Sequence, residues 1–217
     1  MTDYPALEVK VWGDLACFTR PEMKVERVSY DVMTPSAARG VLEAIFWKPE
    51  FSWQVREIWV LKPIRHFSIL RNEVKNKAVV STARGWADDG GGYFAEDDRA
   101  QRHTLALRDV AYLIKAGIVL RRHATDDIAK YRDQFRRRVN RGQRHSMPYF
   151  GCREFAGHFG PPDGTEQSIE VTDDLGRMLF DLDYVSDGSG RGSPRFFSAR
   201  LEAGVLKIPM ELYRKEG

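Results

Sequence analysis

Cysteine is almost missing from this chain, with Cys17 and Cys152 the two thiols in 217 residues. The two could pair geometrically, but nothing indicates a disulfide framework, and neither thiol stands in a metal-ligand cluster. Two free, buried thiols in a cytoplasmic protein are the better reading. Long apolar runs are absent too, so no membrane span is expected. The N-terminus, MTDYPALEVKVW, has no basic segment followed by an apolar one, and no secretory signal is expected. Internal repeats and low-complexity stretches are also lacking. A large charge imbalance is missing as well, since the net charge is only +3.

What is present is the composition of a folded protein, with 42% hydrophobic and 12% aromatic residues. The length suits one ordinary domain plus a smaller lobe. The small net charge hides a segregation. Between Arg121 and Arg153 ten Lys or Arg face three Asp, whereas between Asp163 and Asp187 eight acids face Arg177 alone. A chain divided this way offers a basic surface to a polyanion and keeps another surface repellent to it. The Arg136–Arg138 run, taken alone, also suits a solvated helix face.

Leu7, Val9 and Val11 alternate with Glu8, Lys10 and Trp12, the period of a half-buried strand. Thr34 and Pro35 supply the cap and first position of a helix. Ala38, Val41, Leu42 and Ile45 recur along it until Lys48-Pro49 stops it. Val55 to Leu61 reads as a strand and His66 to Leu70 as its neighbour. Residues 81–98, with three consecutive glycines and five acids, read as a mobile loop. Thr104 to Leu120 is the longest strand-like segment, interrupted around Arg108-Asp109. Asp126 is the expected cap of a second helix, striped by Ile128, Tyr131, Phe135 and Val139 and ended by Gly142. Met178 to Tyr184 alternates again, and a glycine-bearing turn joins Phe196–Leu201 to Val205–Ile208. This order over residues 7–184 predicts an α+β chain built on a ferredoxin-like (RRM-like) unit. Such a sheet carries helices on one face and leaves the other for RNA.

The stretch from Val11 to Pro49, VWGDLACFTRPEMKVERVSYDVMTPSAARGVLEAIFWKP, joins the first strand, a loop bearing Arg20, Lys24 and Arg27, and the capped helix. It closely resembles the N-terminal block of the fifth Cas protein family in its subtype I-C form. A second block, RGQRHSMPYFGCREF from Arg141 to Phe155, resembles the family's Gly-Gln, Pro and Gly-Cys-Arg-Glu-Phe pattern. The resemblance implies a ferredoxin-like RNA-processing domain over residues 1–150 and a small antiparallel β lobe over 151–217. It also implies a CRISPR-associated endoribonuclease that cuts precursor CRISPR RNA within the repeat hairpin. The enzyme then stays on the guide RNA, beside the other subunits of a subtype I-C interference complex.

The implied reaction needs neither metal nor cofactor. The RNA's 2′-hydroxyl attacks the adjacent phosphorus, leaving a cyclic phosphate and a free 5′-hydroxyl. A proton must be removed, charge on the phosphorane oxygens stabilised, and the leaving oxygen protonated. No His or carboxylate cluster has convincing ligand spacing, so no metal site is expected. Family members place a Tyr or His at the end of the first helix, where this chain has Phe46. They place a Lys and a His two apart on the long strand, where it reads Lys115-Ala116-Gly117. Lys115 is therefore the carried-over catalytic residue, and acid/base side chains are missing at 46 and 117. His103 and His145 are the candidates to replace them, and each also suits a solvated structural role.

Candidate RNA contacts are Arg20, Lys24 and Arg27 in the first loop, Arg39 in the helix, and Arg71 after the second strand. Arg137, Arg141 and Arg144 join them from the basic segment, with Tyr149 as a stacking face. Phosphate contacts position an RNA without reading its sequence, so a repeat hairpin would be read by shape. The basic face is equally a candidate for duplex DNA. Two functional readings follow: a metal-independent endoribonuclease retained on its product, or a non-cleaving guide-RNA-binding subunit of the same complex.

Overall fold

Strand β1 (Leu7–Ala16) follows its alternation: Leu7, Val9 and Val11 are buried, while Glu8 and Trp12 are exposed. A computed structural model describes residues 4–23, 25–76, 79–184 and 192–214. After β1 come β2 (Arg27–Val28), α1 (Pro35–Ile45), β3 (Phe51–Val60) and β4 (His66–Val74). Then follow α2 (Val80–Asp89), β5 (Arg99–Leu120), α3 (Ile128–Asn140) and β6 (His158–Gly160). The chain closes with β7 (Asp173–Tyr184), β8 (Gly192–Glu202) and β9 (Val205–Lys207). The fold is α+β, with one largely antiparallel sheet in the order β6-β1-β5-β3-β9-β8-β7 and with β2 and β4 also paired to β5.

Local chemistry explains the helices that build the core. Thr34 Oγ1 accepts the Ala37 N–H at 3.3 Å, and Pro35 opens α1. Helix α3 is capped by Asp127, whose carboxylate accepts the Ala129 N–H at 2.7 Å. The expected cap, Asp126, instead pairs with Lys130 one turn on, at 2.8 Å. Both helices cover the same sheet face. There Phe46 of the α1 end, Phe51 and Trp53 of β3, and Tyr131 and Phe135 of α3 interlock with ring centroids 4.8–5.6 Å apart.

Three expectations are corrected. Residues 80–89 form helix α2, none of whose side chains is buried, rather than part of a loop. Strand β4 pairs with the first half of β5, not with β3. Met178–Tyr184 belongs to β7, which pairs with β8, while the strand beside β1 on its other edge is the short β6. The expected interruption at Arg108-Asp109 does not break the strand: β5 runs through it, with Asp109 at φ 53° as a local irregularity. The β8–β9 turn uses Ala203 at φ 47° and Gly204 at φ 76°, the left-handed pair that a tight hairpin needs.

The second face of the sheet is set by register. Lys10, Leu113 and Trp59 lie in one row across β1, β5 and β3, and Glu8, Lys115 and Glu57 in the next. The acidic segment after β6 is tied across this face. Lys10 Nζ meets Glu166 at 3.0 Å and Asp163 at 3.6 Å, while the Ile169 N–H reaches the Val60 carbonyl at 2.9 Å. The Lys10 row of the face is thus occupied by the acidic segment, with Leu113 3% exposed, whereas Glu8 and Lys115 in the next row stay accessible. Among the described residues, no helix is long and apolar enough to cross a membrane.

Candidate active site and nucleic-acid interface

Position 46 faces the core. Phe46 is the extended C-cap residue just past α1, and it is 1% exposed. Its ring lies 5.3 Å from that of Phe51, with the Arg138 guanidinium 5.3 Å from its centroid. Lys115 and Gly117 alternate with the core residues Ile114, Ala116 and Ile118 and therefore occupy the opposite face. The three family positions do not converge, because the sheet itself separates Phe46 from the other two.

Lys115 is held from two sides. Its ammonium lies 3.1 Å from Glu8 Oε1 and 4.0 Å from the centroid of the Trp59 ring. A carboxylate and an indole face fix one charged orientation beside the start of β1. His103 cannot join it: the two are twelve residues apart on β5, roughly 40 Å along an extended strand. Its backbone N–H instead contacts Glu26. His145 is exposed and its N–H bonds to the Ala44 carbonyl at 2.8 Å, which places it at the C-terminal end of α1.

The expected RNA contacts divide into two groups. Arg39 is committed to a forked pair with Asp181, at 3.1 and 2.7 Å, and to Glu43 at 2.8 Å. Arg71 binds Glu154 and lies 3.7 Å from Glu73; Arg27 lies 3.2 Å from Glu73 and 3.9 Å from Glu154. These arginines are committed to carboxylates of this chain rather than presenting free charge. Arg20 stacks on Tyr30, 4.4 Å from the ring centroid, and Lys24 lies outside the described residues. In contrast Arg137, Arg141, Arg144 and Tyr149 are exposed.

The basic group is gathered by the chain's path. Arg138 donates to the Ile45 carbonyl at 2.9 Å, and the N–H groups of His145 and Ser146 reach Ala44, so the segment after α3 wraps the end of α1. Beyond it position 151 requires glycine, since φ is +80° and a Cβ there would lie 1.9 Å from the Cys17 carbonyl oxygen. Phe150, Cys152 and Phe155 of this block are buried. Both cysteines are free thiols. Trp47, 52% exposed at the same end of α1, was not singled out from the sequence. The signal was available: it falls off the stripe of Leu42 and Ile45. Among the described residues no three His, Cys, Asp or Glu side chains are grouped to hold a metal ion.

A family model described as CRISPR-associated protein (Cas_Cas5), Cas_Cas5d, matches residues 6–209. The chain is 50% identical over 224 aligned positions to the CRISPR pre-crRNA endoribonuclease Cas5d of Thermus thermophilus, covering 96% of this chain and 93% of that protein. It is 44% identical to the protein of the same name from Mannheimia succiniciproducens, over 94% of each. Among solved structures it resembles a CRISPR-associated protein at TM-score 0.67 and 24% identity, covering 97% and 94% of the two chains. A chain of a CRISPR RNA-guided surveillance complex shares the fold at TM-score 0.51 and 12% identity, covering 95% and 92%. With the family match spanning nearly the whole chain and two relatives far above the identity at which families part, this chain belongs to the CRISPR-associated Cas5 family, in its subtype I-C form, Cas5d.

Proposed function

We propose that the chain is an endoribonuclease that cuts precursor CRISPR RNA within its repeat hairpin and remains on the product in a subtype I-C interference complex. The observation that carries this reading is 50% identity, across 96% of the chain, to a protein named for that activity. The surface suits the task. Arg137, Arg141 and Arg144 offer forked donors to phosphates, and Tyr149 and Trp47 offer stacking faces. Lys115 is the cation for the scissile phosphate and exchanges Glu8 for a phosphate oxygen when RNA arrives. As the 2′-oxygen bonds to phosphorus, an ammonium at this point stabilises the phosphorane charge and can protonate the leaving 5′-oxygen.

The ferredoxin-like reading is supported by the run β1-α1-β3-β5-α3-β6 and by the strand order β6-β1-β5-β3, with both core helices on one face. This unit includes β6, so its boundary with the β7–β9 lobe is best drawn after Gly160 rather than at 150. A second reading, a non-cleaving guide-holding subunit, is favoured by the buried ring at 46 and the missing side chain at 117.

The test is incubation of the protein with its repeat RNA in EDTA. One cut leaving a cyclic phosphate, slowed by Lys115→Ala, supports cleavage; an unaffected Lys115→Ala removes Lys115 from the site. Tight binding without a cut selects the guide-holding subunit. Competition by duplex DNA in the same titration tests that second polyanion.

A further inference from the structure

The pairing of β3 with β5 slips between Val55 and Glu57, which makes Arg56 the additional residue of a β-bulge. A bulge re-aims the side chains beside it. Val55 is buried against the helices, whereas Glu57 stands opposite Lys115 on the other face. Arg56 turns toward that second face, over Gly117. A Cβ at position 117 would lie 3.1 Å from Arg56 Nη2 and 3.2 Å from Nε. The bare glycine lets the bulged arginine lie close, since a side chain at 117 would crowd the guanidinium and move it by a few tenths of an ångström. Lys115 is two residues away on the same strand face, about 7 Å.

Further positive charge lies nearby. The Arg132 guanidinium is held below its ordinary value, by burial first and then by the charges of Arg136 and Arg56. At this end of the sheet an open depression of about 280 Å³ lies among Leu7, Glu8, Arg136, Asn140 and Pro161.

We propose that Arg56 is a phosphate-binding, charge-stabilising residue of the RNA site, acting beside Lys115 where the family resemblance implies an imidazole. This rests on the endoribonuclease reading above. A guanidinium stays protonated and cannot take or give the proton, but its fork can hold two non-bridging oxygens. In the reaction the 2′-oxygen forms its bond to phosphorus while its proton passes to water. The bond to the 5′-oxygen breaks, and that oxygen takes a proton from Lys115 or water. Arg56 stabilises the charge that builds on the phosphorane between those events.

The experiment compares wild type, Arg56→Gln, Arg56→Lys and Gly117→Ser. Single-turnover cleavage is measured on the repeat RNA, and binding is measured across salt on an analogue with a 2′-deoxy cleavage nucleotide. Arg56→Gln is expected to slow cleavage roughly 100-fold. It should also reduce the salt slope of binding by about 0.7, one phosphate contact on a single strand. Arg56→Lys should recover part of both. Gly117→Ser, which crowds the guanidinium without removing it, should lower both by a smaller amount, and Arg56→Lys keeps the test decisive even if Arg56→Gln fails to fold. Equal cleavage and an equal slope in Arg56→Gln and Gly117→Ser would overturn the assignment alone. If wild type binds but does not cut, the slope decides by itself. If wild type does not bind the repeat RNA, the endoribonuclease reading fails and the assignment fails with it.

Discussion

Replacing Arg39 by alanine should loosen the brace between α1 and β7 and leave RNA binding intact. The guanidinium spans 142 positions of sequence to reach Asp181 through two N–H···O bonds, at 3.1 and 2.7 Å. Burial works against the charge, but Asp181 and then Glu43 outweigh it and hold the guanidinium above its ordinary value. The side chains of Arg39 and Asp181 are 29% and 24% exposed, so solvent screens the pair only in part. Charge-assisted hydrogen bonds contribute about 1.5–3 kcal/mol and exposed ion pairs about 0–1, which puts the loss near 2 kcal/mol. After the change Asp181 retains the Leu182 N–H, at 2.8 Å. In a chain of this size about 1 kcal/mol lowers Tm by about 2–4 °C, so the melting temperature should fall by about 4–8 °C. The denaturant midpoint should fall as well, with an unchanged slope. Affinity for repeat RNA and its salt dependence should not move. An unaltered melt together with a salt slope reduced by about 0.7 would refute the reasoning and place Arg39 on a phosphate.

Phe46→Tyr should not raise cleavage, because its ring lies in the helix-covered core, and an unpaired hydroxyl there would cost about 1–3 kcal/mol; a tenfold faster cut would show that the ring reaches RNA after all. Reversing Arg137 and Arg141 to Glu should weaken repeat-RNA binding and flatten its salt dependence, and an unchanged slope would assign both to a solvated face. Burial pushes the Glu166 carboxyl up, but the N–H groups of Asp163 and Gly164 and the Lys10 ammonium prevail and hold it below the ordinary value. Its contribution is therefore present above the unfolded pKa, about 4.3, and lost as pH falls through the lower folded value. Protection of residues 163–171 against hydrogen exchange, taken relative to the intrinsic rate at each pH, should fall below about pH 4 in wild type, and already at neutral pH in Glu166→Gln; equal protection at neutral pH would discard the tether.

Much of the core was legible because its determinants are local. The alternation of β1, the Thr34-Pro35 start of α1 and the Tyr131, Phe135, Val139 stripe depend on neighbours within one or two turns. The α2 helix was hidden by its own composition. None of its residues is buried, so no apolar stripe marks it, and the glycines after Asp89 dominate the reading. The α3 cap was displaced by one residue because Asp126 and Asp127 are chemically alike, and backbone geometry chooses between them.

The candidate site was less legible for a different reason. Arg27, Arg39 and Arg71 look like phosphate ligands when only their charge is known, yet each finds a carboxylate brought to it by folding. Phe46 and Lys115 belong to blocks that read as one active centre, and the register of β3 on β5 puts the sheet between them.

By itself the sequence determined the family, the α+β character, the capped helices and the division into a basic and an acidic segment. These rest on residue types at short spacing. Only the tertiary structure decided which arginines are ion-paired and which stay exposed, that the acidic segment is tied to Lys10 on the second sheet face, and that Arg56 lies against Gly117. Those outcomes depend on strand register, on a bulge and on ion pairs between distant residues, and no local pattern along the chain encodes which distant group will arrive.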